Sequence, residues 1–298
     1  MTLQSVRKGV RPAPDRVLVV GTDGVGKSTF AAAAPNPIFI APEDGVRHLD
    51  VASFPELKTW PEVFEALRTL ATAEHDFKTA VIDTVDWLEP LCHRYVCEQN
   101  GWKDIEVPGY GKGYVPATEE WRKLLAALDF LRAKRGMEVI LLAHAAIKNF
   151  SNPAGDDFSR YELKLQKSAS ALLKEWCDAN LFAVHEEFVN EAKGITKAKG
   201  VSTGFRVLHT ERTAAWDAKN RHNLPHELPL SYEDYAAARA AGRPADPAEL
   251  LEEAIGLVEL LDQAAQESIR PQLTAHATDA AWLYQAVMRL RSKVSEQE

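Results

Sequence analysis

Two spacings of hydrophobic residues follow one another along the first two thirds of the chain. Short runs such as Val17–Val20 and Glu138–Ala143 are almost entirely apolar, as buried parallel strands are. Between such runs, Glu62–Ala73 and Glu119–Lys134 place apolar side chains at helical spacing. Strands that alternate with helices in this way predict an α/β fold with a mostly parallel sheet covered on both faces.

Further elements follow from the same patterns and from proline and glycine stops. A first helix is predicted from Lys27 to Ala34, and the other helices of this region are Trp87–Gln99 and Ala169–Trp176. The other predicted strands are Ile38–Ile40, Lys78–Ile82, Leu181–Val184, Gly204–Thr210 and Thr213–Asp217. Residues 100–116 are rich in glycine, tyrosine and proline and are predicted to be a long loop. Residues 148–161 are predicted to be a second long loop, which is polar.

The pattern changes near residue 230, which predicts three parts. Residues 1–15 read as an N-terminal arm, residues 16–230 as the α/β core, and residues 231–298 as a small helical extension. Asp246-Pro247-Ala248-Glu249 has the N-cap, the proline and the acidic residue of a helix start. Two helices are predicted in the extension, at 247–266 and 272–293.

Composition is that of an ordinary globular protein. The 298 residues are 46% hydrophobic and 26% charged, and the three cysteines form no C-x-x-C pair, which favours a reduced compartment. The sequence contains no apolar run of membrane-spanning length, and its first residues lack the apolar core of a secretion signal. We therefore expect a cytoplasmic chain with no membrane partner.

Charge is distributed unevenly. The net charge is −8, which by itself disfavours a nucleic acid partner. The segment from Lys193 to Arg221, however, contains seven basic residues and two acidic ones. Because a locally basic surface can bind a polyanion on an acidic protein, composition leaves this partner open.

One motif carries specific chemistry. Between the first predicted strand and helix stands the G-x-x-x-x-G-K-[ST] pattern, as Gly21, Thr22, Asp23, Gly24, Val25, Gly26, Lys27 and Ser28. In such a loop the backbone N–H groups surround phosphates, the lysine reaches the β- and γ-phosphates, and the hydroxyl binds Mg²⁺. The motif therefore predicts ATP and Mg²⁺ as cofactors, with Thr29 completing the nucleotide-binding set.

Polar residues at three predicted strand ends are candidates to work on the terminal phosphate. Asp83 would support the metal, although an aspartate in a turn is the simpler interpretation. Glu43 would orient or deprotonate the attacking water, and the adjacent Asp44 competes for that role. His144 would sense the γ-phosphate, although a lone histidine is more often structural.

The order of these elements resembles the RecA-like recombinase fold, in particular that of phage-encoded RecA-like ATPases associated with single-strand annealing. The resemblance covers about residues 15–225 and rests on the P-loop, on Phe39–Glu43 and on Val81–Val85. It implies that Glu43 is the catalytic carboxylate. His144 stands where the family has a glutamine sensor, which is a departure.

The resemblance also implies assembly. Lys219-Asn220-Arg221 matches the K-x-[KR] pair that reaches the neighbouring subunit's ATP in RecA-like filaments and hexameric helicases. Two cations at this spacing on an extended segment point the same way and can address one phosphate. We accordingly expect a homo-oligomer, either ring or filament. A solvated basic stretch is the alternative.

The two predicted loops fall where this family has its DNA-binding loops. Aromatic side chains that alternate with lysines suit single strands, because rings stack on bases while cations meet phosphates. The resulting candidates for binding single-stranded DNA are Lys103, Tyr110, Lys112, Tyr114, Lys148, Phe150, Arg160 and Lys164. The alternative is that the rings pack on their own domain. Asp156 and Asp157 weaken the electrostatic attraction, so that binding should depend on salt.

The sequence thus predicts an ATP-hydrolysing, DNA-binding protein of phage-type recombination or annealing, with a single-strand-binding protein as a further expected partner. A replicative-helicase-like motor or helicase loader is one alternative. A thymidylate-like kinase is another, although the D-R-[YFH] motif and arginine-rich lid of those enzymes are not found. The third is an ATP-gated binding module with negligible turnover.

Overall fold

The structure is a computed structural model that describes residues 13–43, 45–152, 155–190, 199–241 and 247–295. The strands within these residues are β1 (Arg16–Gly21), β2 (Pro37–Ile40), β3 (Ala52–Ser53), β4 (Thr79–Asp83), β5 (Glu138–Phe150), β6 (Phe158–Leu163), β7 (Ala179–Asn190), β8 (Lys199–His209), β9 (Lys219–Asn220) and β10 (Glu227–Pro229). The helices are α1 (Lys27–Ala32), α2 (Trp60–Thr72), α3 (Val85–Asn100), α4 (Tyr114–Arg135), α5 (Lys167–Trp176), α6 (Tyr232–Ala241), α7 (Pro247–Glu259), α8 (Gln263–Ala275) and α9 (Ala280–Ser295).

A mostly parallel sheet forms the centre of the fold, as the sequence predicts. Its strand order over the described residues is β10-β8-β7-β1-β5-β4-β2-β3. Every pairing from β7 to β3 along this path is parallel, whereas β8 and β10 add to one side in antiparallel orientation. The central strands are buried on both faces, which explains why their sequences are apolar throughout.

Helices cover both faces of the sheet. One face packs against α2, α3, α4 and α5, where the rings of Trp60 and Trp121 meet edge to face at 5.5 Å. The other face packs against α1 and α6, where Phe30 contacts Tyr232 and Tyr235. Both layers hold the sheet so that the loops after β1, β2, β4 and β5 project from one edge.

Helix α6 belongs to the core and not to the extension expected from residue 231. Tyr235 and Ala238 are buried against the β1 face, and the Tyr232 hydroxyl donates to Glu138 Oε2 at 2.9 Å. Arg239 pairs with Asp15 and Glu138 at the start of the sheet. The core therefore extends through Ala241, about ten residues beyond the predicted boundary.

The C-terminal extension contains three helices where two were predicted. Leu250, Val258, Leu283 and other apolar residues of α7, α8 and α9 form a separate small core. The break after α7 follows from Asp262, whose side chain accepts from the N–H of Ala265 at 2.9 Å and caps α8. In the same way Asp279 accepts from Trp282 at 3.0 Å, so that the last helix starts later than its apolar pattern suggests.

The segment at 148–161, predicted as a loop, is largely a β-hairpin. Strand β5 continues past His144 to Phe150 and pairs with β6 in antiparallel register from Ala145–Leu163 to Phe150–Phe158. The prediction was wrong because this half of β5 leaves the central sheet and so lacks its apolar pattern.

Two smaller predictions also need correction. Helix α4 begins at Tyr114, so that the loop expected at 100–116 ends at residue 113. Thr213–Asp217 forms no strand and contributes the single bridge between Trp216 and Tyr161. Over the described residues, no helix combines the length and apolar character needed to cross a lipid bilayer.

We predict that Trp121→Ala destabilises the fold by about 3–5 kcal/mol, because it empties a large, fully buried site between α2 and α4. The matched control is Trp87→Ala, since the Trp87 side chain is about half exposed. Denaturant unfolding of both variants measures the difference. Equal losses of unfolding free energy would contradict the packing described for Trp121.

Candidate active site at the carboxyl ends of the strands

The loop after β1 has the conformation that a phosphate-binding loop requires. Gly24 and Gly26 adopt left-handed backbone angles, with φ of 71° and 107°, which disfavour any side chain. At the base of the loop, a Cβ on Gly21 would lie 2.5 Å from the carbonyl oxygen of Ala183 on β7. The glycines at all three positions therefore follow from geometry.

Lys27 is held inside this loop. Its ammonium donates to the carbonyl oxygens of Thr22 at 2.9 Å and Gly21 at 3.3 Å, and the residue is buried. Burial lowers the pKa of Lys27, although the nearby Asp23 and Asp83 oppose the shift. The neutral carbonyls are weaker partners than phosphate oxygens, so the ammonium is placed to exchange one set for the other.

Ser28 and Asp83, the two residues predicted to bind the metal, are in direct contact. The Ser28 hydroxyl donates to Asp83 Oδ2 at 2.7 Å, which joins the start of α1 to the end of β4. Burial raises the pKa of Asp83, against the lowering effects of this hydrogen bond and of Lys27. A hydroxyl and a carboxylate side by side are the oxygen donors that Mg²⁺ takes beside phosphates, so the residues fit that ion.

Glu43 follows β2, and the register of the parallel strands places that strand end beside the end of β4. Burial, and then the charge of Asp83, raise the pKa of Glu43, while His144 and Lys27 oppose the shift. A half-buried carboxylate with a raised pKa is suited to accepting a proton. Asp44 lies outside the described residues, so the choice between the two carboxylates stays a prediction.

His144 lies at the carboxyl end of the central-sheet part of β5, directly beside Gly21 in the strand register. Its Nδ1 donates to Asp86 Oδ2 at 2.9 Å, and its backbone N–H donates to Asp86 Oδ1 at 2.9 Å. Its Nε2 lies 3.4 Å from Asp23 Oδ1 in the phosphate loop. The histidine thus bridges the loop and the first turn of α3.

Asp86 is a further residue of the candidate site, and the sequence analysis did not single it out. Burial acts to raise the pKa of Asp86, but the two hydrogen bonds from His144 and the charge of that residue outweigh it and hold that pKa below its ordinary value. The charged carboxylate therefore fixes the imidazole in one orientation. Its position in the first helical turn, three residues after Asp83, was the available signal.

The hairpin beyond His144 is attached directly to this site. The backbone N–H of Lys164, just after β6, donates to the His144 carbonyl at 3.0 Å. The Lys148 ammonium donates to the carbonyls of Leu163 and Leu165 at 3.1 and 3.0 Å. Both ends of the hairpin are therefore tied together next to the histidine.

Four of the eight DNA-binding candidates have exposed side chains that are not part of the packing described above. Tyr110 stands fully exposed at a loop tip between Gly109 and Gly111, with a left-handed φ of 51°. Lys103 and Lys112 are exposed in the same loop, and Lys164 is exposed at the base of the hairpin. We refer to these four exposed residues together as the loop patch.

The other four candidates are engaged within the chain. Arg160 is only 3% exposed, with its guanidinium beside Glu162 and over the ring of Phe150, so that the structure contradicts a DNA contact by this residue. Phe150 also packs on Phe158, and Tyr114 packs on His93. For these rings the alternative of packing on their own domain describes the structure.

Lys219 and Arg221 lie away from the phosphate loop. Strand β9 pairs with the first residues of β7, at the amino end of the sheet. The Lys219 ammonium donates to three carbonyls at the end of α5, at 2.6–3.0 Å, and caps that helix within its own chain. The action of this lysine on a neighbouring subunit stays a prediction. Arg221 is about half exposed and pairs with Asp178 at 3.2 Å. Its action on a neighbouring subunit stays a prediction.

A second residue that sequence reasoning missed reaches the loop from β8. The Arg206 guanidinium donates from Nη1 to the carbonyl oxygen of Val25 at 3.3 Å. No local motif surrounds Arg206, so its position could be known only from the fold. Other basic residues of the same segment, Lys193 and Lys197, lie outside the described residues.

One protein family and two known proteins are similar to this chain. A family model described as an AAA domain, AAA_24, matches residues 13–222. The SPbeta prophage-derived uncharacterized protein YorG of Bacillus subtilis strain 168 is 24% identical over 136 residues, which are 44% of this chain and 41% of that relative. The chain therefore spans less than half the length of this curated relative. A crystal structure of the RadB recombinase matches with a TM-score of 0.38 and 15% identity, over 67% of this chain and 82% of that chain.

We predict that Lys219→Met destabilises the protein by about 1–2 kcal/mol, because three helix-terminal carbonyls lose their charged donor. Arg221→Ala is the matched control and should change the free energy of unfolding by less than about 0.5 kcal/mol, since Asp178 keeps Arg16 as a partner. Thermal and denaturant unfolding measure both. An unchanged stability in Lys219→Met would return this lysine to the set of candidate catalytic cations.

Proposed function

This chain belongs to the AAA_24 family of AAA domains, and from that premise we propose that it is a RecA-like ATPase that hydrolyses ATP while it binds single-stranded DNA in phage-type recombination or annealing. The contact between Ser28 and Asp83 is the observation that carries the first half of this proposal. It brings the two oxygen donors expected for Mg²⁺ to the phosphate loop.

The protein side of the hydrolysis step follows from the groups around that contact. Lys27 would transfer its hydrogen bonds from the loop carbonyls to the β- and γ-phosphate oxygens. Glu43 would accept a proton from the water whose oxygen attacks the γ-phosphorus, as the bond to the ADP oxygen breaks. When bound, Mg²⁺ would supply positive charge against the phosphates beside Ser28 and Asp83.

His144 is the proposed link between the nucleotide and DNA. Its Nε2 contacts Asp23 in the loop, so a bound phosphate would compete with Asp23 for the imidazole. The same residue continues into the β5–β6 hairpin and accepts from Lys164 through its carbonyl. A shift of His144 would therefore move Lys164 and the hairpin together.

The loop patch supports single-stranded DNA as the partner. Tyr110 offers a fully exposed ring, and Lys103, Lys112 and Lys164 add positive charge and form no ion pair with an acidic side chain among the described residues. An exposed ring is sequence-tolerant because every base presents a π face. The protein's negative charge keeps the expected affinity modest and dependent on salt.

Assembly and further partners are also part of this proposal. Arg221 could leave Asp178 without unpairing it, because Arg16 already binds that carboxylate at 2.7 and 3.0 Å. Arg221 is accordingly the cation that we propose to act on a neighbouring subunit of a ring or filament. A single-strand-binding protein is the expected accessory partner on DNA.

The alternative functions differ in the residues and activities that each would require. A nucleotide kinase needs arginines over the phosphates from a lid, but Arg160 is buried in the hairpin. A helicase-like motor would separate strands of a forked duplex, whereas an annealing protein would pair them. An ATP-gated module would bind nucleotide with turnover that is indifferent to Glu43.

We predict that Glu43→Gln lowers kcat for ATP hydrolysis by about 10²–10⁴-fold and leaves the Kd for ATP within about threefold. The wild-type rate should also decline on the acid side at a higher pH than an ordinary glutamate would cause. The reason is that the pKa of Glu43 is raised, so its carboxylate is lost sooner as pH falls. Steady-state rates across pH and nucleotide titrations provide the measurement.

Glu56→Gln is the control for this experiment, because Glu56 is an exposed glutamate that precedes α2 and has no proposed role in catalysis. It should reproduce the wild-type rate and pH profile. A Glu43→Gln variant with wild-type turnover would leave only the ATP-gated binding module.

We predict that Tyr110→Ala weakens binding to a dT oligonucleotide by about tenfold, because one stacking contact is lost. The ATPase rate without DNA should stay unchanged, and stimulation by DNA should decline in parallel with binding. Fluorescence anisotropy at two salt concentrations and ATPase assays measure both effects.

The matched control is Phe130→Ala, a half-exposed ring on α4 outside the loop patch. It should leave DNA binding at the wild-type level. If neither the wild-type rate nor its dependence on protein concentration responded to DNA, the recombination role would fail while the ATPase proposal stood.

A further inference from the structure

We propose that Arg206 binds the α-phosphate of the nucleotide within its own chain. This inference rests on the proposed ATP site and adds a residue from β8 that lies beyond every motif found in the sequence. It concerns the end of the triphosphate opposite to the metal and the attacking water.

Arg206 is fixed against the phosphate loop from a distant part of the chain. It lies on β8 opposite His185 of β7, and its carbonyl accepts from the N–H of Leu230 at 2.9 Å. These contacts hold the backbone, and the side chain extends to the Val25 carbonyl. A residue 181 positions away in sequence thus meets the middle of the loop.

The space around Gly26 shows how closely the Arg206 guanidinium approaches the phosphate loop. A Cβ at Gly26 would lie 2.6 Å from Arg206 Nη1 and 3.6 Å from a methyl group of Leu230. Gly26 is therefore needed for its left-handed φ and also for the space that the guanidinium occupies. The guanidinium lies on the same side of the loop as Leu230, which forms an apolar wall next to it.

The order of the strands decides which phosphate is addressed. On one side of β1 stand β5 and β4, which carry His144 and Asp83 to the γ-phosphate end. On the other side stand β7 and then β8, which carries Arg206. Ser28 and Asp83 place the metal-bound end of the triphosphate on the β4 side, so a cation on the β8 side lies toward the opposite end, which joins the nucleoside.

The chemistry of the side chain fits that place. A guanidinium has five N–H donors in a planar fork, and one bond to Val25 leaves donors for phosphate oxygens. The other arginine near this edge, Arg289, is paired with Glu186 and Glu227. Arg206 is thus the cation that the described residues offer to a phosphate on this side.

Action within one chain separates Arg206 from Arg221. The Val25 contact exists in the single chain, so binding through Arg206 needs no neighbouring subunit. We expect ADP and ATP to be affected equally by its loss, because both carry the α-phosphate. Affinity should not depend on protein concentration.

The test uses nucleotides that are not hydrolysed. We expect Arg206→Ala to weaken ADP binding by about tenfold, as the loss of one charge-assisted hydrogen bond does. The wild-type protein should bind one diastereomer of ADPαS more weakly than ADP, and this difference should vanish in Arg206→Ala. The change caused by ADPβS should be the same in both proteins. Calorimetric titrations of both full-length proteins in the presence of Mg²⁺ measure the Kd values for ADP, ADPαS and ADPβS.

Two variants keep the test interpretable. Arg212→Ala removes an exposed arginine six residues along the chain, whose Nε lies 3.9 Å from Asp217, and should bind as wild type. Arg206→Lys keeps the charge without the fork and should bind ADP with intermediate affinity. Thermal unfolding without nucleotide shows whether either variant has lost the fold.

Two results would overturn the inference. An equal ADPαS difference in wild type and Arg206→Ala would mean that the guanidinium does not touch the α-phosphate. Weaker ADP binding that preserved this difference would make Arg206 only a brace for Val25. A wild-type chain that bound neither ADP nor ATP would instead refute the proposed nucleotide site itself.

Discussion

The insertion of β5 between β1 and β4 is the constraint on which the whole site depends. Parallel pairing on both sides of β5 fixes how far each strand extends, so Gly21 lies beside His144 and Asp83 beside Leu142. The Ser28–Asp83 hydrogen bond then forms across β5 between elements 55 residues apart in sequence. If the register moved by one residue, the side chains would exchange faces and the oxygen pair would be lost.

The same arrangement concentrates negative charge. Burial raises the pKa of Asp83, and burial together with the charge of Asp83 raises the pKa of Glu43, while the hydrogen bonds from His144 hold the pKa of Asp86 below its ordinary value. Lys27 is the buried cation among them. The charges of this site are therefore not balanced within the protein alone. A bound metal cation would reduce the repulsion between the carboxylates, and a phosphate chain would compensate the buried charge of Lys27.

Local sequence was sufficient to predict those parts of the fold and the site that a few neighbouring residues determine by themselves. The phosphate loop, Asp83 and the central strands could be predicted because glycines, the lysine and apolar runs each have one favourable local structure. Asp86 and Arg206 could not be found in this way, since their roles arise from pairing between β5 and α3 and between β8 and the loop. Arg160 shows the reverse case, because a basic residue in a polar segment became buried once the hairpin formed.

The continuity of β5 has a mechanical consequence. Its first half is clamped by neighbours on both sides, whereas the six residues after His144 are paired with β6 alone along the ladder. At about 3.3 Å per residue, this half extends roughly 20 Å beyond the histidine. Its partner β6 is anchored in turn, because the Tyr161 N–H donates to the Ala215 carbonyl at 2.7 Å. A change of backbone position at His144 would therefore reach the hairpin, and through β6 the segment around Trp216, without breaking any pair of the central sheet.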